Sequence, residues 1–169
     1  MTLGNERKSV QEPLMKYVKE KGWEYLNPDD ALRMRGGETG IILGEIFQKK
    51  MLDLNSSFMD GNMIQELRKR IENVTPDIRG NRIVWEHVRG LGTIFDPIER
   101  RERNVNFIDF DNVERNTFHF TDEFSYSNGK FGSHQDRPDI VFFINGIPVF
   151  IVETKSPAVL NNKIMAMDQ

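Results

Sequence analysis

The 169-residue chain contains no cysteine, which excludes disulfides, thiolate metal sites and cysteine nucleophiles and fits a reducing compartment. No stretch approaches the roughly 18 apolar residues of a membrane span, and residues 1–9 lack the apolar run of an export signal. There is no excess of positive charge either: 23 basic against 26 acidic side chains leave a net charge of −3, so no global field advertises a nucleic-acid binder. No G-x-x-x-x-G-K-[ST] loop occurs, which excludes ATP binding through that motif. The three histidines, His87, His119 and His134, are scattered without metal-ligand spacing; His119 reads as a polar position on an alternating strand. Repeats and low-complexity tracts are absent. What remains, at 38% hydrophobic and 29% charged, is the composition of one globular, cytoplasmic domain with no membrane partner.

The first half reads helical. Ser9 and Glu12 have capping-box spacing with Pro13 in the first turn, and Val10, Leu14, Met15, Tyr17 and Val18 share a face that Gly22 terminates. A short strand over 23–26 precedes a turn at Asn27–Asp30. A 3.6-residue period then runs from Glu38 to Leu54, and Asp60 caps a further helix over 61–74 with Met63, Ile64, Leu67 and Ile71 inward. After Pro76 the pattern turns extended: residues 104–110, the alternating Phe118, Phe120, Phe124 and Tyr126, and strands flanking the turn dipeptides Asn128-Gly129 and Asn145-Gly146. Trp85 and Phe95 read as core. The expectation is an α/β (α+β) fold with a mixed central sheet flanked by helices. It forms a single domain over 1–169, mainly helical over 1–75 and sheet over 76–169. A new helix near Lys163 reaches the last residue, so the unit reads as cut from a longer protein.

Residues 140–152, IVFFINGIPVFIV, carry no charge and read as two strands buried on both faces. Asp139 stands just before them, Glu153 just after, and Lys155 two further on. Taking carboxylates out of water is costly unless they are paired or bound to metal. Two clustered acids invite a hard divalent cation, and a neighbouring lysine can orient a metal-bound water and neutralise charge on a phosphate. A salt bridge at a strand end is the plainer reading of an E-x-K triplet alone. Register decides whether the acids meet. A strict two-residue loop pairs Ile144 with Ile147 and sends Asp139 and Glu153 to opposite faces, whereas one extra residue brings them to the same face. A bulge is therefore expected at the Asn145-Gly146 turn or near Pro138.

The segments Arg137-Pro138-Asp139-Ile140-Val141, Asn145-Gly146-Ile147-Pro148 and Glu153-Thr154-Lys155-Ser156-Pro157 resemble the nuclease motif of type I restriction enzyme R subunits, members of the PD-(D/E)xK superfamily. The approach, Asn106–Phe110, Asn116–Phe118 and Phe124, is similar to the lead-in of that family. The resemblance implies a restriction-endonuclease-like fold and Mg²⁺-dependent cleavage of double-stranded DNA, with Asp139 and Glu153 holding the metal and Lys155 assisting the attacking water. It also implies methyltransferase and specificity subunits as partners, and ATP only for motor domains that this chain lacks. An accessory glutamate on an early helix is common in the superfamily, for which Glu45 and Glu38 are candidates beside their plainer role on a solvated helix face. A Q-x-x-x-Y motif would begin at Gln169.

Residues 79–103 carry six arginines against four acids, and Arg79, Arg82, Arg89 and Arg137 are candidate phosphate contacts. A solvated, Glu-interleaved surface explains the run near Glu99–Arg103 equally well. Two other readings remain open: a non-catalytic module that docks DNA or a partner, and a stand-alone repair or junction nuclease of the same superfamily.

Overall fold

A computed structural model describes residues 7–75, 77–127 and 135–155. The expected Asn128-Gly129 turn, the helix near Lys163 and Gln169 lie outside them. Among the described residues, five α-helices accompany a four-stranded mixed sheet. A π-type turn, Arg7–Gln11, leads into α1 (Glu12–Glu20), followed by β1 (Glu24–Tyr25), α2 (Pro28–Met34), α3 (Gly44–Leu54), α4 (Gly61–Glu72) and α5 (Ile78–Val88). Strands β2 (Thr93–Asp96) and β3 (Arg101–Asn104) form a separate hairpin. Then come β4 (Phe118–Asp122), β5 (Tyr126–Ser127), β6 (Gln135–Asp136), β7 (Ile140–Ile144) and β8 (Ile147–Val152). The main sheet has the order β1-β4-β7-β8, with β1 parallel to β4 and the other pairs antiparallel.

Strand β7 is the hub because both of its faces are covered. Ile140 and Phe142 pack with Val18 of α1 and Phe120 of β4, while Val141 and Phe143 pack with Ala31 of α2, Leu43 and Phe124. Alternation along one strand thus builds two core layers. A third layer joins α3 and α4 to Ile94, Val105, Phe107 and Ile147. As expected, Asp60 caps α4 through its carboxylate, and Met63, Ile64, Leu67 and Ile71 are buried.

Several local expectations change. Ser9 lies inside the π-type turn, and Gln11 occupies the N-cap of α1 without a side-chain cap, so no capping box forms. The Asn27–Asp30 turn is the start of α2: Asn27 Oδ1 accepts from the Asp30 amide at 2.9 Å. Asp77 likewise caps α5, a helix absent from the sequence reading. That helix leaves Trp85 59% exposed, and Phe95 on β2 is 52% exposed, so neither is core. Extended pairing stops at Asn104, and Val105 and Phe107 are buried from irregular backbone. His119 is buried rather than facing solvent, because β4 is covered on both faces. Among the described residues β8 is a sheet edge with Val149, Phe150 and Ile151 exposed, so of the apolar pair it is β7 that is buried, from Ile140 to Phe143.

The Asn145-Gly146 turn is a strict two-residue loop with φ of 53° and 83°, and Ile144 pairs with Ile147. The extra residue sits further along: Phe143 faces Pro148, but Phe142 faces Phe150, leaving Val149 as the bulge. The turn also does more than reverse the chain. Buried Asn145 Oδ1 accepts from the Thr117 amide at 2.8 Å, and Nδ2 donates to the Phe107 carbonyl and to Asn116 Oδ1, both at 2.8 Å. A Cβ on Gly146 would lie 2.7 Å from the Leu43 carbonyl oxygen, so only glycine fits.

These bonds separate a turn role from a tethering one. Asn145→Ala should lower stability by about 3 kcal/mol, because buried amide and carbonyl groups lose their partners. Asn145→Asp suits the turn yet offers no N–H to Phe107 and Asn116, so it should lose a comparable amount. The urea unfolding midpoint, read at unchanged slope, checks both.

Candidate active site

Three strands of the sheet finish at one end, and the acids lie there. The β4–β7 ladder ends on the pair Asp122–Ile140, and β7–β8 ends on Ile140–Val152. One step further, Glu123 stands across from Asp139, with the Glu123 amide donating to the Asp139 carbonyl at 2.9 Å. On the other side the register places Asp139 across from Glu153. Without the Val149 bulge, Asp139 would have faced Val152 and the acids would have left opposite faces. The expected single-residue offset is present, but in β8 rather than at the turn or near Pro138. A bulge at the turn would have disturbed the buried bonds of Asn145.

Asp139, Glu153 and Lys155 line one open cavity of ≈ 400 Å³ together with Thr154, Glu123, Arg7 and Gln11. Thr154 is buried and donates to Asp139 Oδ2 from its amide at 2.6 Å and its hydroxyl at 2.8 Å. Gln11 Nε2 donates to the same hydroxyl oxygen at 3.1 Å. The residue between Glu153 and Lys155 therefore fixes the carboxylate of Asp139, and the turn before α1 fixes that residue in turn. A second cleft of ≈ 620 Å³ shares Glu153 and Lys155 and is walled by Phe124, Tyr126 and Arg137.

The wall beside Asp139 is ionic. Arg7 donates to Asp122 Oδ2 at 2.8 Å and to Glu123 Oε1 at 2.7 Å, and Arg137 pairs with Glu123 Oε2. Asp122 is buried, its side chain 1% exposed, and also accepts from the Tyr25 hydroxyl at 2.7 Å. Glu123 breaks the alternation of Phe118–Tyr126 with φ of 49°, a left-handed backbone that a non-glycine residue adopts at a cost of about 1 kcal/mol. The neighbouring Phe124 amide is anchored to the Pro138 carbonyl at 3.1 Å, and the Phe124 ring lies 3.9 Å under the buried guanidinium of Arg35. Glu123 was legible only as a polar position on a strand. Thr154 was legible only as the residue between Glu153 and Lys155, and Arg7 and Gln11 carried no signal, since each acts through residues distant in sequence.

Other candidates sit elsewhere. Glu45 pairs with Arg33 at 3.2 Å on the exposed start of α3, and Glu38 borders Arg35 on a different cleft. Arg79 and Arg82 project from α5, Arg82 pairing with Glu86, and Arg89 follows the same helix. None of these five lines the cavity of Asp139. Of the predicted arginines only Arg137 reaches the site, through Glu123. Among the described residues, no three His, Cys, Asp or Glu side chains converge to hold an ion, and no helix is long and apolar enough to cross a membrane.

The sequence matches the family model for the type I restriction enzyme R protein N terminus over residues 4–169. It is 30% identical over 164 residues to a Methanocaldococcus jannaschii protein named for the endonuclease subunit of the type I restriction enzyme MjaIXP, a match covering 90% of this chain and 15% of that protein. A second protein of that organism, named for the MjaVIIP endonuclease subunit, is 35% identical over 68 residues, which is 40% of this chain and 6% of the relative. The chain thus spans a small fraction of the relatives it matches.

The ionic wall can be read by titration. Burial first, and then the hydrogen bond and charge of Asp122, push the Tyr25 phenol up to about 12 from 10. The fold favours the protonated phenol. Its contribution to stability is whole below about pH 10, where the unfolded chain also keeps the proton, and is lost as pH rises towards 12. Alkaline unfolding should show this loss, and tyrosinate absorbance should show a late-titrating step that disappears in Tyr25→Phe.

Proposed function

This chain belongs to the family of type I restriction enzyme R protein N-terminal domains, and from that membership we propose that it is the nuclease module of such an enzyme, cleaving double-stranded DNA with Mg²⁺. The observation that carries the reading is the bulged register, which brings Asp139 and Glu153 to one cavity beside Lys155. Two carboxylates suit Mg²⁺, which keeps several waters and is commonly held by one or two protein carboxylates together with substrate phosphate oxygens. Asp139 and Glu153 would hold the ion, which would supply Lewis-acid polarisation of the phosphodiester and an acidified water.

The chain's own groups do the rest. Thr154 locks one oxygen of Asp139, so the carboxylate is presented in a single orientation. Lys155 offers an ammonium that orients the attacking water and offsets negative charge growing on the phosphate. Arg137 stands at the rim as a backbone contact, while Arg79, Arg82 and Arg89 on and after α5 would follow the duplex farther out. No base-reading element is evident among the described residues, so target choice falls to partners: methyltransferase and specificity subunits of the assembled enzyme, with an ATP-driven motor elsewhere in the subunit. The cytoplasm, where DNA is met, is the fitting compartment.

A docking role is the second reading, favoured by the exposed Val149, Phe150 and Ile151 of β8, the edge strand of the sheet among the described residues. Plasmid nicking by the assembled enzyme against Mg²⁺ concentration separates the two. Glu153→Ala and Lys155→Ala should each lower metal-dependent cleavage by about 10²-fold or more while DNA binding persists. Cleavage undiminished in both variants would remove the assigned roles. Binding without any cleavage in the parent protein would favour docking.

A further inference from the structure

We propose that Arg7, held in place by Asp122 and Glu123, contacts the phosphodiester being cleaved, an inference that rests on the nuclease reading and adds a substrate-binding residue to it. Arg7 lines the same cavity as Asp139, Glu153 and Lys155, although more than 130 residues separate it from them in the chain. A guanidinium carries five N–H donors in a rigid planar fork. The two ion pairs engage one on each terminal nitrogen, at 2.8 Å and 2.7 Å, so donors remain for an oxyanion. The side chain is 43% exposed, which leaves it open to a ligand from the cavity side.

Its anchoring is stronger than a surface ion pair requires. Asp122 is buried and fixed by Tyr25, so it cannot follow a moving guanidinium. Glu123 is held in a left-handed backbone by its bond to the Asp139 carbonyl, and its second oxygen takes Arg137. One carboxylate therefore bridges two arginines, with Arg7 on the side of the acid cavity and Arg137 on the side of the aromatic cleft. Such double pinning sets orientation, which is what bidentate recognition of a phosphate needs.

Charge explains when the contact would form. Among the described residues, three cations (Arg7, Arg137 and Lys155) stand at the site with four carboxylates (Asp122, Glu123, Asp139 and Glu153), leaving one net negative charge among them. That surface repels a phosphodiester until a divalent cation joins Asp139 and Glu153 and reverses the sign. Glu123, saturated by two guanidiniums, acts as a positioning residue and not as a ligand of the metal.

The assembled enzyme would be assayed with Arg7→Gln, which removes the charge, and Arg7→Lys, which keeps a cation beside Asp122 and so protects folding. Binding of a duplex oligonucleotide is measured in Ca²⁺ across a salt series, and plasmid cleavage in Mg²⁺. Arg7→Gln should lower the slope of log affinity against log salt by about one, the mark of one lost phosphate contact. Arg7→Lys should keep the melting temperature and slope of the parent protein but cleave about tenfold more slowly, since an ammonium cannot reproduce the fork. An unchanged slope in Arg7→Gln, or parent-like cleavage in Arg7→Lys, overturns the assignment. Glu153→Gln runs beside them: if it cleaves like the parent protein, the nuclease reading fails by itself, whatever the salt slope shows.

Discussion

One unpaired residue, Val149, sets the relation between the two halves of the candidate site. Side chains alternate along a strand, so the face on which a residue emerges depends on the parity of its register. The hairpin of β7 and β8 begins at a tight turn whose geometry is dictated by buried bonds to Asn145 and by the closeness of Gly146 to α3. With parity imposed there, the strands would deliver Asp139 and Glu153 to opposite faces. The bulge corrects parity beyond the constrained turn and before the acids. Turn, bulge and carboxylates thus form one dependent series, in which the irregularity falls on the exposed edge strand where ladder disruption costs least.

The second layer of control is polar. Asp139 is fixed by Thr154, Thr154 by Gln11, and Glu123 by the Asp139 carbonyl. Asp122, buried one residue before Glu123, anchors Arg7 and Tyr25. Most of these bonds join groups far apart in sequence, so the cavity is shaped by the tertiary fold rather than by any one loop. Buried carboxylates of this kind are costly unless each is fully satisfied, and here the guanidinium and the phenol satisfy Asp122.

How much of this was legible follows from what each signal depends on. Asp60 and the inward face of α4 were readable because capping and helical periodicity are local. The acids and lysine at the ends of an apolar run were readable because burial of charge demands a reason, and parity arithmetic showed that an extra residue was needed. Where it sits was not readable, since it depends on bonds from Asn145 to Phe107 and Asn116. Helix α5 was missed because its buried side is small, with Gly80 and His87 the buried residues. Arg7 and Gln11 were silent for a related reason: residues so far in sequence from their partners declare them only once the sheet brings residues 122–154 to them.

The bond between Gln11 and Thr154 closes a loop of 143 residues. Long closures are entropically unfavourable until other contacts have shortened the chain, so this bond belongs among the last to form. On the ribosome the turn at Arg7–Gln11 emerges before β8 and must wait for it. Until then Asp139 lacks Thr154, and the cavity lacks the side formed by residues 153–155. A chain still short of Thr154 therefore lacks the hydroxyl and amide that fix Asp139, and the candidate cavity takes its shape only when residues 7–11 and 153–155 meet.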